Sequence, residues 1–98
     1  MISVQVRTES GEILGRAQRR SVGRFFQADA RTYPVLVHIL PWTDTAFNKS
    51  QVGVLLEEIG RYEGDAQENP EGESFGWLRE LCEQVLAAPH RMLWFVGD

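Results

Sequence analysis

The sequence is poor in the residues that usually announce chemistry. Its 98 residues include one cysteine, two histidines and a single lysine. Cys82 has no partner for an internal disulfide, and a lone thiol fits a reducing compartment. His38 and His90 lie far apart and form none of the HxH, HxxxH or HExxH spacings that bring imidazoles onto one metal ion. Gly11, Gly15 and Gly23 are dispersed, so no glycine-rich phosphate loop follows a strand. No stretch approaches the roughly 20 apolar residues that cross a bilayer. The beginning, Met1-Ile2-Ser3-Val4-Gln5-Val6-Arg7, has no basic segment leading into an apolar one, so a signal peptide is not expected. These absences lead to an expectation of no catalytic residue, no metal, no cofactor and no membrane partner, in a cytoplasmic protein.

What is present is a core and a divided charge. A hydrophobic fraction of 43% in 98 residues supports one domain spanning residues 1–98 and excludes disorder of the whole chain. Residues 57–83 carry nine acidic side chains (Glu57, Glu58, Glu63, Asp65, Glu68, Glu71, Glu73, Glu80, Glu83) against Arg61 and Arg79. Residues 1–56 lean the other way, with Arg7, Arg16, Arg19, Arg20, Arg24, Arg31 and Lys49 against four acids. Such a dipolar surface steers charged partners.

Hydropathy periods supply the elements. Ile2, Val4 and Val6 alternate with polar residues, and Ile13–Ala17 resumes an extended pattern after a turn, which predicts a hairpin. Residues 19–31 keep neither period and are expected to form a loop with one helical turn. Tyr33–Leu40 is rich in β-branched residues and predicts a third strand, with Pro34 near its start. Val52, Leu55, Leu56, Ile59 and Tyr62 recur at helical spacing, leaving Val54, Glu57, Glu58 and Arg61 outward. Residues 64–72 form an acidic, flexible loop. Phe75, Leu78, Leu81, Cys82, Val85 and Leu86 mark a second helix ended by Pro89. Met92-Leu93-Trp94-Phe95-Val96 is the densest apolar run and reads as a central strand covered on both faces. The order β-β-β-α-α-β predicts an α+β fold, a mostly antiparallel sheet of about four strands with both amphipathic helices on one face. Two helices cover only one face, so either the Phe25-Phe26 segment or a second protein is expected over the other.

Asn48 can cap the first helix, Gln51 can complete a capping box, and Phe47 and Val52 stand where a hydrophobic staple packs. Cys82 lies on the apolar stripe of the second helix, with no base placed to activate it. Trp77 sits at the edge of that stripe, as a lid on the core or an interface anchor. The loop from Glu63 to Glu73 concentrates carboxylates without a base and without the spacing of a calcium loop. It suits a basic protein partner.

The segment Asp44-Thr45-Ala46-Phe47-Asn48-Lys49-Ser50-Gln51, together with the ending Pro89-His90-Arg91-Met92-Leu93-Trp94-Phe95-Val96-Gly97-Asp98, resembles small standalone immunity-type proteins of bacterial toxin systems. Those pair an FN-x-x-Q helix start with a terminal aromatic strand closed by Gly-Asp. The resemblance covers the second half of the chain. It implies a non-catalytic protein that binds and neutralises a toxin, and it transfers no contact residues.

The expected function is therefore that of a protein-binding module, an immunity protein or antitoxin, that occludes a basic toxin partner with its acidic helical half. The side chains expected to meet that partner are Trp42, Asp44, Glu57, Glu58, Asp65, Glu68, Glu71, Glu73 and Trp77. The alternatives are a subunit that self-associates through its sheet as a homodimer and, behind it, a nucleic-acid binder using the arginine-rich segment 16–31.

Overall fold

A computed structural model describes residues 1–22 and 24–97. Gly23 and the terminal Asp98 of the Gly-Asp ending lie outside the described residues. The chain forms β1 (Ile2–Thr8), β2 (Ile13–Arg20), β3 (Thr45–Phe47), α1 (Lys49–Glu63), α2 (Gly76–Leu86) and β4 (Arg91–Val96), with two short 3₁₀ turns at Phe25–Gln27 and Leu36–His38. The four strands make one antiparallel sheet in the order β2-β1-β4-β3. The α+β class, the element order and the interior position of the last strand are those expected.

Both helices lie against one face of the sheet. There Val4 and Val6 of β1 and Leu93 and Phe95 of β4 meet Val52, Leu55 and Ile59 of α1 and Leu78, Cys82 and Val85 of α2, all fully buried. Gly15 of β2 lies so close to Gln84 of α2 that a Cβ there would overlap the amide group. The start of α1 follows the capping prediction. Asn48 Oδ1 accepts from the Gln51 backbone N–H at 2.9 Å, and Gln51 Oε1 accepts from the Asn48 N–H at 2.9 Å. Phe47 and Val52, the two staple positions, are buried.

Three expectations are corrected. Tyr33–Leu40 is not a strand. Its buried residues are Tyr33, Leu36 and Ile39, every third position, which is the period of a 3₁₀ turn. The segment satisfies its backbone without a sheet partner: Val37 N–H bonds to Tyr33 O, His38 N–H to Val35 O and Ile39 N–H to Leu36 O. The third strand is instead the three-residue β3, paired with β4 through Thr45–Phe95, Ala46–Trp94 and Phe47–Leu93. Strand preference yields to such context because it measures fit to a neighbouring surface.

The second correction concerns β4. It is flanked on both sides, yet only Leu93 and Phe95 are fully buried, while Met92, Trp94 and Val96 on the other face are half-buried. Phe25 does not cover them. Phe25 packs among the helices, its ring 5.1 Å from Tyr62 and 4.9 Å from Phe75. Trp94 is shielded instead by Arg7, whose guanidinium lies 4.5 Å over the indole. Third, the acidic loop is tied down internally. Asp65 Oδ1 accepts from the N–H groups of Gln67 and Glu68. The buried Asn69 donates to the carbonyls of Glu63 and Glu73 and accepts from the Glu73 N–H.

Candidate protein-interaction surface

The carboxylates of residues 57–83 divide into those the fold uses and those it leaves at the surface. Glu58 belongs to the first group. Expected to face outward, it is 1% exposed, and its carboxylate accepts from the backbone N–H groups of Val35 and Leu36. Those donors open the second 3₁₀ turn and would otherwise be buried without partners. Glu58 is a structural carboxylate, unavailable to a partner. Glu63 ends α1 and reaches the start of α2, accepting from the Phe75 N–H at 2.7 Å and pairing with Arg79. It supplies the cap that α2 lacks from its own N-cap side chain.

Asp65 is held as firmly. Its Oδ2 accepts the Tyr33 hydroxyl at 2.8 Å. That bond, with the Glu68 N–H, lowers the Asp65 carboxyl below its ordinary value. Tyr33 is pushed up to about 12, first by burial and then by the same carboxylate. The bond joins the 29–36 segment to the turn after α1.

Glu57, Glu68, Glu71, Glu73, Glu80 and Glu83 form the second group. Among the described residues no side-chain hydrogen bond or ion pair ties Glu68, Glu71 or Glu73 to the fold, and Glu57 makes only a loose 3.6 Å contact with Arg61. Both basic residues of the region are already occupied. Arg61 donates to the Thr32 carbonyl at 2.8 Å, and Arg79 holds Glu63.

Glu68, Glu71 and Glu73 line a cavity of about 180 Å³ that Ser21, Val22, Arg24 and Phe25 line as well. Phe25, Tyr62 and Phe75 supply its aromatic lining, and Arg24 stands in the wall. Tyr62 is 3% exposed, and its hydroxyl makes no hydrogen bond to any described residue. Among the described residues no fully buried side-chain polar atom lacks a partner, so this hydroxyl opens onto the cavity. Burial raises the Tyr62 phenol above its ordinary value, and the charges of Glu68 and Glu73 add to that.

The remaining expected contact residues are scattered. Trp42 is 57% exposed and stands edge-on to Phe26 at 5.0 Å. Asp44 accepts from the Gly97 N–H at 3.0 Å and so fastens the end of β4. Trp77 packs on the core under Arg20, whose guanidinium lies 5.2 Å over the ring. The structure thus gathers Glu68, Glu71 and Glu73 around one cavity, which neither Trp42 nor Asp44 lines. Sequence reasoning missed Tyr62 and Arg24 as members of this site. Tyr62 carried only the signal of a core position, and Arg24 is remote from the acidic loop along the chain.

Among the described residues no three His, Cys, Asp or Glu side chains converge as a metal cage. No helix among them is long and apolar enough to cross a membrane. Cys82 is buried in α2, and burial pushes its thiol up to about 12, which keeps it protonated. His38 lies exposed, and His90 places Nδ1 3.1 Å from Glu9 at the surface. Compared with protein-family models, with curated proteins and with solved structures, the chain matches none.

Proposed function

We propose that this chain is a non-catalytic protein-binding module, of the immunity or antitoxin kind, that holds a basic partner against its acidic helical half. One observation carries the reading. After Glu58, Glu63 and Asp65 have been taken up by backbone and side-chain donors of the fold, a field of carboxylates remains around α1, the loop and α2, and both local arginines are already engaged. Surface carboxylates that outnumber the cations beside them favour a positively charged partner and speed its approach.

The test is capture of the partner from proteins encoded beside this gene, followed by charge reversal of Glu57, Glu68, Glu71 and Glu73. None of these side chains supports the backbone, so the variant keeps the fold. Binding should weaken strongly and become less sensitive to salt. Unchanged affinity in the reversed variant would remove this surface from the proposal.

A second reading, self-association, draws on the half-buried stripe Met92-Trp94-Val96 on the open sheet face. Light scattering over a dilution series separates the two, because a strict monomer excludes it.

A further inference from the structure

We propose that the cavity above Tyr62 is a socket for one arginine side chain of the partner, its guanidinium held between the Tyr62 hydroxyl and the carboxylates of Glu68, Glu71 and Glu73. This inference rests on the reading of the acidic half as a partner surface and names what that surface takes in.

Size narrows the occupant first. The cavity measures about 180 Å³. Sites for cofactors and drug-sized ligands run from about 300 to 1,000 Å³, so this one suits a single side chain. Charge narrows it further, since three carboxylates face one arginine, Arg24, around the opening. An anion would meet net repulsion there, and a cation net attraction. A bare metal ion does not fit, because no three acidic side chains among the described residues approach closely enough to cage one. A guanidinium spreads its charge over a planar fork with five N–H donors, so it can reach acceptors too far apart for a single ion.

Tyr62 supplies the second, independent observation. Its ring is fixed in the aromatic cluster with Phe25, Phe75 and Tyr33, so the hydroxyl cannot swing away to find a partner. The hydroxyl of a tyrosine buried this deeply is usually hydrogen-bonded. Here Tyr62 lines the cavity and its hydroxyl has no partner among the described residues. The phenyl rings of the lining offer apolar and cation–π contact to the stem and head of an arginine.

The probe is N-acetyl-arginine amide, titrated into the intact protein while backbone amide resonances are followed by NMR. N-acetyl-citrulline amide has nearly the same shape without the charge and serves as the control. The arginine probe should shift the amides of residues 68–75 in a saturable, salt-sensitive manner, and the citrulline probe should not. Tyr62→Phe should weaken the arginine probe roughly tenfold, as expected for losing a hydrogen bond to a charged group. Glu73→Gln should weaken it as well, and neither change removes an internal side-chain bond. Equal shifts from both probes, an undiminished response in Tyr62→Phe, or no shift in residues 68–75 would each overturn the socket. The partner is absent from this titration, so the socket and the wider acidic surface fail separately. If charge reversal abolishes partner capture while the arginine probe leaves the cavity silent, only the socket falls.

Discussion

Tyr33 and Tyr62 pack edge to face at 5.6 Å, yet their hydroxyls have opposite fates. Tyr33 donates to Asp65, and Tyr62 donates to nothing described. Tyr33→Phe should therefore lower the thermal midpoint measurably. Tyr62→Phe should stay within about 0.5 kcal/mol of the parent, because no internal bond is lost. The same groups set the pH limits of stability. Tyr33 and Cys82 are both raised to about 12, so the folded state holds their protons more tightly than the unfolded chain. Their contribution is complete below the unfolded values, roughly 8.5 for the thiol and 10 for the phenol, and is lost as pH climbs toward about 12. Asp65 is lowered, so its contribution is complete above about 3.9 and is lost as pH falls through its folded value. Denaturant midpoints followed across pH should show a plateau with losses at both ends, and Tyr33→Phe should shrink the alkaline loss. A midpoint flat through the alkaline range would contradict these shifts. Glu58→Ala would strand two backbone donors in the core and should cost about 2 kcal/mol or more by chemical denaturation, with Glu58→Gln milder.

The elements show where local signals suffice. The start of α1 was legible because capping needs only side chains within three residues of each other. Asn48→Ala should cost about 1 kcal/mol, read as a lower unfolding midpoint. The Tyr33–Leu40 segment was misread because alternation and a period of three overlap over so short a run, and its decisive partner, Glu58, lies in another element. β3 escaped notice because three residues carry no period at all. It forms because β4 offers an edge and Asp44 holds Gly97 at the corner. The Gly97 Cα lies so close to the Thr43 backbone that a Cβ would overlap it. Gly97→Ala should loosen the β3–β4 pairing, visible as faster hydrogen exchange at Ala46 and Phe47. Exchange unchanged at those amides would show that the corner adjusts freely.

At the scale of the whole molecule, the division of charge read from the chain survives folding but changes meaning. Of the nine acids in residues 57–83, Glu58, Glu63 and Asp65 serve the architecture. The rest are not taken up by the fold in this way, and Glu68, Glu71 and Glu73 are gathered around one cavity. The arginine-rich segment is dispersed by the fold, with Arg20 over Trp77 and Arg24 in the wall of the acidic cavity. Partner affinity should therefore follow the loop carboxylates and fall with ionic strength, the salt effect being largest for exposed charges.

The sequence by itself determined the α+β class, the helices, the cap of α1, the burial of Cys82 and the charge imbalance. These follow from periods and pairings within a few residues, or from composition alone. Only the tertiary structure decided which carboxylates are structural, which strand borders β4, and that the buried Tyr62 lines a cavity together with three acidic side chains. Glu58 and Glu57 are neighbours of the same chemistry, and the sequence gives no local reason to bury one and expose the other. That choice depends on backbone donors more than twenty residues away, and such donors exist only once the chain has folded around them.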